Sequence, residues 1–194
     1  ENEAEYGCAV LMEVETGFVK AISNIKKVGE NYREEYNYAV GAATEPGSTF
    51  KLPALLAAME EGVVDITDSV DTGNGKRRYF DRIMRDSNDK GYGKITVERA
   101  FELSSNVGIS SVVYDGFQKD PQRFVNRIHA MGLGNPLGVD MYGEGQPMVK
   151  SMSDDSWSGV TLPWMSIGYE TLITPLQTLA FYNAVANNGV MVKP

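Results

Sequence analysis

The sequence predicts an α+β domain, an antiparallel sheet flanked by helices. Three observations predict it. An early pair of apolar runs is separated by a turn. Five later segments read as helices, each opening at a serine, threonine or aspartate. Glycine- and proline-rich polar stretches divide them.

Tyr6 to Ile22 reads as a hairpin. Its runs are Gly7 to Met12 and Gly17 to Ile22, and Glu15-Thr16-Gly17 is the turn. Residues 23–47 read as a polar loop whose tyrosines pack on a core. Ser48 to Glu61 reads as a helix, with Leu52, Leu55, Leu56 and Met59 at helical spacing and Gly62 as its stop. Pro53 falls just past the first turn of that helix and predicts a kink. Residues 63–95 are turn-rich and resist assignment. Thr96 caps a short helix through Leu103, and a second begins near Ser105 and carries Val107, Ile109, Val112 and Val113. Asp120-Pro121 starts another helix, ended by Gly132. Residues 133–163 read as loop. Thr174-Pro175 opens the last helix, and Gly189 closes it.

The 194 residues fit one domain comfortably and two only if both are small, with enough chain for a core without staples. Hydrophobic residues are 42% and charged residues 23%, the profile of an ordinary globular protein. The net charge of −8 argues against nucleic-acid binding and against holding an anionic membrane by charge. No stretch approaches the roughly 18 consecutive apolar residues of a membrane span. Glu1-Asn2-Glu3-Ala4-Glu5 is the opposite of a signal-peptide start, so the chain is expected to be either cytoplasmic or a piece of a longer exported protein. Cys8 is the only cysteine and reads as a small apolar residue within a strand.

Chemistry concentrates in two places. Ser-x-x-Lys puts a hydroxyl and an amine on one helical face. A serine needs a base within reach, and a lysine serves only when desolvation or a nearby positive charge lowers its pKa. Backbone N–H groups at a helix start also stabilise an oxyanion. The pattern occurs at Ser23 to Lys26, Ser48 to Lys51 and Ser87 to Lys90, but only Ser48 opens an apolar-periodic helix. Pro46 and Gly47 shape the approach to it. The second place is Ser104-Ser105-Asn106, at a break between two helices. There a serine could relay a proton and an amide could grip a peptide backbone.

Glu45-Pro46-Gly47-Ser48-Thr49-Phe50-Lys51 resembles the active-site segment of class B penicillin-binding proteins, and Leu103-Ser104-Ser105-Asn106-Val107-Gly108 resembles their second motif. Glu13 to Gly17, Ser166-Ile167-Gly168-Tyr169, Thr174 to Gln177 and Asn187-Asn188-Gly189 resemble further family segments, in the family's order. The resemblance implies a β-lactamase/transpeptidase-like fold over residues 1–194. The family's third motif, Lys-Ser/Thr-Gly, is absent. Glu15-Thr16-Gly17 and Asp71-Thr72-Gly73 begin with acids, and in the family the motif follows the point where Lys193-Pro194 ends this chain. The expectation is a partial transpeptidase domain without the last strands of the sheet.

By that resemblance the parent protein is a peptidoglycan D,D-transpeptidase. Ser48 is the acylated nucleophile, Lys51 its base, Ser104 a proton donor to the leaving D-alanine, and Asn106 a ligand of the substrate backbone. The implied partners are peptidoglycan stem peptides, β-lactam antibiotics, and proteins of the division or elongation machinery, with a lean to septation. No metal or organic cofactor is implied. The location is the outer face of the cytoplasmic membrane, through an anchor outside this chain.

Other readings make different demands. A β-lactamase would need a deacylating base, and no Glu-x-x-Leu-Asn is present. A β-lactam sensor would acylate without cross-linking, and a scaffold would tolerate Ser48→Ala. His129, the only histidine, reads as filler on its helix, and without a Gly-x-Ser-x-Gly elbow a Ser-His-Asp triad is disfavoured. One His and one Cys disfavour a zinc site. Trp157 and Trp164 flank a segment expected near the cleft, with core packing as their default role.

Overall fold

The computed structural model describes residues 4–194; the first three residues of the acidic N-terminal run lie outside the described residues. In chain order the elements are β1 (Tyr6–Met12), β2 (Val19–Val28), β3 (Asn31–Arg33), α1 (Tyr38–Gly41), a 3₁₀ turn (Gly47–Phe50), α2 (Lys51–Glu60), β4 (Ser69–Asp71), β5 (Lys76–Tyr79) and β6 (Arg82–Arg85). They continue with β7 (Lys94–Thr96), α3 (Val97–Glu102), α4 (Asn106–Phe117), α5 (Pro121–Ala130), β8 (Met148–Val149), α6 (Thr161–Met165), β9 (Thr171–Leu172) and α7 (Pro175–Ala186). Contacts divide the chain into two compact units. One holds the residues up to Pro46 with Gly132–Met148 and Leu172–Pro194; the other holds Gly47–Met131 with Val149–Thr171.

The first unit is built on the antiparallel sheet β1-β2-β3. Its register runs from Tyr6 opposite Lys26 to Met12 opposite Val19, with a bulge between Leu11 and Met12. Gly17 takes the left-handed φ of +73° that the turn needs, and its N–H donates to Glu13 O at 2.9 Å. Helices α1 and α7 pack on β1. Thr174 and Gln177 form a reciprocal capping box at the start of α7, with Pro175 as its first residue. Asn183 on α7 donates to Val14 O at 3.0 Å and ties the hairpin turn to the helix.

Three expectations are corrected here. The stretch 23–47 is not all loop, since it holds the rest of β2, then β3 and α1. Its apolar residues Ile22, Ile25 and Val28 recur every third position, so no two-residue alternation marks the strand. Its tyrosines do not enter a core: Tyr38 stacks on Tyr6 of β1 and meets Tyr36 edge-on. Tyr38 lies 4.2 Å from the Tyr6 ring and 5.0 Å from Tyr36, while Tyr32 is exposed. Cys8 is in its strand but exposed.

The second unit centres on α2 and α4, which pack on each other. Helix α5 adds to α2, and α3 and α6 add to α4. The buried face of α2 is Lys51, Pro53, Ala54, Leu55, Ala57 and Ala58, whereas Leu52, Leu56 and Met59 are only half-buried. The helix begins at Lys51, three residues later than expected, because Ser48 belongs to the 3₁₀ turn. That shift moves Pro53 into the first turn, where no intrahelical N–H is required, and α2 runs on to Glu60. Beyond it, Gly62 (φ +66°) and Val63 donate to Met59 O and Ala58 O. Thr96, Ser105 and Asp120 each cap the helix expected of them. The turn-rich stretch resolves into the hairpin β5-β6 and the pair β4-β7. Tyr79, Met84, Val107 and Ile167 form a buried cluster, with Trp164 packed against it. Among the described residues no helix is long and apolar enough to cross a membrane.

Candidate active site

Ser48 is the second residue of the 3₁₀ turn and is exposed. The backbone before it is held closely. Gly47 has φ +56°, and its N–H donates to Gly168 O at 3.2 Å. Gly168, at φ +88°, lies so near that an added Cβ would sit 2.0 Å from Gly47 O. Only glycine satisfies both the conformation and the approach. Ser166, fully buried, donates to Pro163 O at 2.7 Å and anchors the same segment one turn earlier.

Lys51 opens α2 and is 1% exposed. Its Nζ donates to Ser104 O at 2.5 Å and to Ser104 Oγ at 2.9 Å. Burial pushes its pKa down to about 8, and the Asp86 carboxylate resists part of that fall. At pH 7 about a tenth of such a lysine is neutral, against far less than a hundredth at its ordinary pKa. The side chain is therefore both a donor to Ser104 and a proton acceptor accessible near neutral pH.

Ser104 is exposed and takes the left-handed φ of +52°, at the end of α3. Its N–H donates to Phe101 O and that of Ser105 to Ala100 O, closing the helix. Ser105 is 1% exposed and faces the other way. Its Oγ accepts from Gly108 N at 2.8 Å as the cap of α4 and donates to both Asp86 oxygens at 3.0 Å. Gly108 has no room for a side chain, since a Cβ would meet Ala100 Cβ at 2.8 Å. Asn106 is half-buried, and its Nδ2 donates to Arg85 O at 2.8 Å.

The structure thus brings Lys51 and Ser104 into contact, sets Ser48 one turn before Lys51, and holds Asn106 on the end of β6. Of the other Ser-x-x-Lys matches, Ser23 lies exposed in β2 and Ser87 exposed in the turn after β6.

Sequence reasoning missed Asp86. This carboxylate is 6% exposed, accepts from Ser105 Oγ and from Val107 N at 2.9 Å, and braces the whole Ser-Ser-Asn break. No local pattern marks it, because Asp86 directly follows β6 and its partners Ser105 and Val107 lie about twenty residues further on. An acid there needs partners. Among the described residues no cluster of three or more His, Cys, Asp or Glu could hold a metal.

The fold is shared with solved transpeptidase-type domains. A peptidoglycan glycosyltransferase structure from Burkholderia ambifaria superposes with TM-score 0.82 at 28% identity, over 98% of this chain and 56% of that one. The apo TP domain of Burkholderia pseudomallei penicillin-binding protein 3 superposes with TM-score 0.82 at 26% identity, over 97% of this chain and 52% of the other. Residues 7–194 match the family described as penicillin binding protein transpeptidase domain, and the chain belongs to that family. Penicillin-binding protein PbpB of Mycolicibacterium smegmatis is 32% identical over 96% of this chain and 29% of its own length. Peptidoglycan D,D-transpeptidase FtsI of Escherichia coli K12 is 27% identical over 97% of this chain and 32% of its own length. The chain thus spans about a third of the length of these curated relatives.

Proposed function

We propose that this domain, read as part of one transpeptidase domain over residues 1–194, is the acylating centre of a peptidoglycan D,D-transpeptidase. What carries the reading is the buried Lys51 amine, bonded to Ser104 Oγ at 2.9 Å and one turn from the exposed Ser48. Ser48 Oγ attacks the carbonyl carbon between two terminal D-alanines while its proton passes to neutral Lys51. The tetrahedral intermediate collapses, the C–N bond breaks, and the leaving D-alanine amine takes a proton from the Ser104 hydroxyl. Ser104 is reprotonated by Lys51, with which it is hydrogen-bonded. An amine of a neighbouring stem peptide then attacks the ester and loses its proton to the same pair, which passes it to Ser48 Oγ as the C–O bond breaks, leaving a cross-linked peptide and free Ser48. Asn106 holds the substrate backbone. β-Lactams enter the first step and stay on Ser48. The reaction is placed in the cell envelope, on the outer face of the cytoplasmic membrane, with division or elongation proteins as partners.

Intact mass after incubation with benzylpenicillin tests this. The expected result is a stable one-to-one adduct that is absent from Ser48→Ala. No adduct on folded protein overturns the reading; consumption of the drug without a lasting adduct replaces it with a β-lactamase. Acylation without cross-linking of stem peptides would mark a sensor.

A further inference from the structure

We propose that Lys150 and Glu170 act as a positioning pair, a latch that holds the Gly168 backbone against the turn carrying Ser48. The effect on acylation rests on the reading of Ser48 given above; the mechanical part does not.

Glu170 is held at φ +61°, a left-handed conformation that L side chains rarely adopt. Such a residue persists where its surroundings over-determine it. Here the carboxylate forms an ion pair with Lys150 Nζ, and the two side chains are only 28% and 15% exposed. A glycine would take this φ without strain but could not make the pair. The pair is therefore a reason for an acidic residue at the position.

The place of the pair gives it a task. Lys150 follows the buried Val149 and precedes Ser151, whose N–H donates to Asp154 at 2.5 Å, so its backbone is fixed on both sides. Glu170 is followed by Thr171, which is fully buried. Residues 166–170 form no helix or strand. Backbone bonds from Gly168 N to Met165 O and from Tyr169 N to Trp164 O tie the segment to the end of α6, and two side-chain contacts bracket it: the Ser166 hydroxyl on Pro163 O upstream, and the Glu170–Lys150 pair downstream. Between them lies Gly168, whose carbonyl accepts from Gly47 N, one residue before Ser48. Loosening the downstream end gives the Gly168 carbonyl more play, and with it the turn that carries Ser48.

The test uses Glu170→Gln, Glu170→Gly and the exchanged pair Lys150→Glu/Glu170→Lys in the whole protein. The first readout is amide hydrogen exchange at Gly47. Protection should fall roughly tenfold in both single variants, a loss in the usual range for coupled, partly buried pairs, while amides in the middle of α4 keep theirs. The exchanged pair should restore it. The second readout separates noncovalent binding of benzylpenicillin from the first-order acylation step. Acylation should slow about five- to tenfold with binding unchanged, again restored by the exchange. Unchanged Gly47 protection overturns the latch, and lost protection with unchanged acylation overturns its positioning role. If the wild type forms no adduct, the Ser48 reading fails, while Gly47 exchange still decides the latch.

Discussion

Asp86 and Ser105 are joined by a two-oxygen hydrogen bond in which the Ser105 hydroxyl lies 3.0 Å from each carboxylate oxygen, both residues being almost wholly buried. The same carboxylate takes the Val107 N–H and keeps Lys51 more basic than burial alone would leave it. Fold and chemistry therefore meet in one acid. Asp86→Asn keeps an oxygen for Ser105 and Val107 but removes the charge. The Lys51 pKa should then fall below about 8. On the proposed reading acylation draws on neutral Lys51, so its rise with pH should move to lower pH in the variant. A pH profile of acylation in both proteins checks this, and coincident profiles would refute it. Asp86→Ala should instead destabilise by about 2–4 kcal/mol, because two buried donors lose their acceptor.

The cost of keeping Lys51 buried should also be measurable. Its folded pKa of about 8 lies below the ordinary 10.5. The unfolded state therefore binds more protons between those two values, and stability rises with pH across that window. Below it the folded state carries a penalty of roughly 3 kcal/mol. Lys51→Met should abolish acylation yet stabilise the protein at pH 7 by about 1–3 kcal/mol, less the Ser104 bonds. The gain should shrink as the pH approaches 10.5. Denaturant titrations at pH 7 and at pH 10 check it, and a Lys51→Met protein less stable than wild type at pH 7 would contradict it.

How far the sequence disclosed these relationships depended on range. Thr96, Ser105, Asp120 and Thr174 each cap the helix expected of them, because a cap is a contact across three residues. The hairpin was legible for the same reason. The strands of 63–95 were not, since β4 pairs with β7 across more than twenty residues and no local pattern records that partner. For α2 the apolar period marked an element but not its face, as the helix is surrounded and even its lysine is buried. Ser48, Lys51, Ser104 and Asn106 stood out through their flanking residues. Asp86 acts through neighbours far along the chain and appeared only with the fold, whereas Gly168 lay in a family-like segment but its close approach to Gly47 did not show.

Gly168→Ala should be among the most damaging single-methyl changes. The methyl would need to occupy space 2.0 Å from Gly47 O, at a φ of +88°. Left-handed strain and overpacking together suggest a loss of roughly 2–4 kcal/mol. Where the variant still folds, the displaced Gly47 should slow acylation by about two orders of magnitude, as small misplacements at a reacting group do. Thermal unfolding and the adduct-forming rate check both parts. A variant with wild-type values of each would show that the close approach is dispensable.

The two adjacent serines should give opposite signatures. Ser104 is exposed, and its hydroxyl meets Lys51 at 2.9 Å, so Ser104→Ala removes the proposed proton-relay group and little packing. Its stability should stay within about 0.5 kcal/mol of wild type. Acylation, or release of the leaving group, should slow by about two orders of magnitude, the usual scale for one acid–base group. Ser105 is buried, caps α4 through Gly108 N, and donates to Asp86. Ser105→Ala therefore leaves a helix N–H and a carboxylate short of a partner, a loss of about 2 kcal/mol. Because Asp86 then has fewer donors, Lys51 and the Ser-Ser-Asn break should shift only secondarily, and acylation should fall less than in Ser104→Ala. Measuring unfolding free energy and acylation rate on the same pair of variants separates the roles. If Ser105→Ala proved the more inactive and Ser104→Ala the less stable, the assignment of the relay to Ser104 would have to be exchanged with that of the cap.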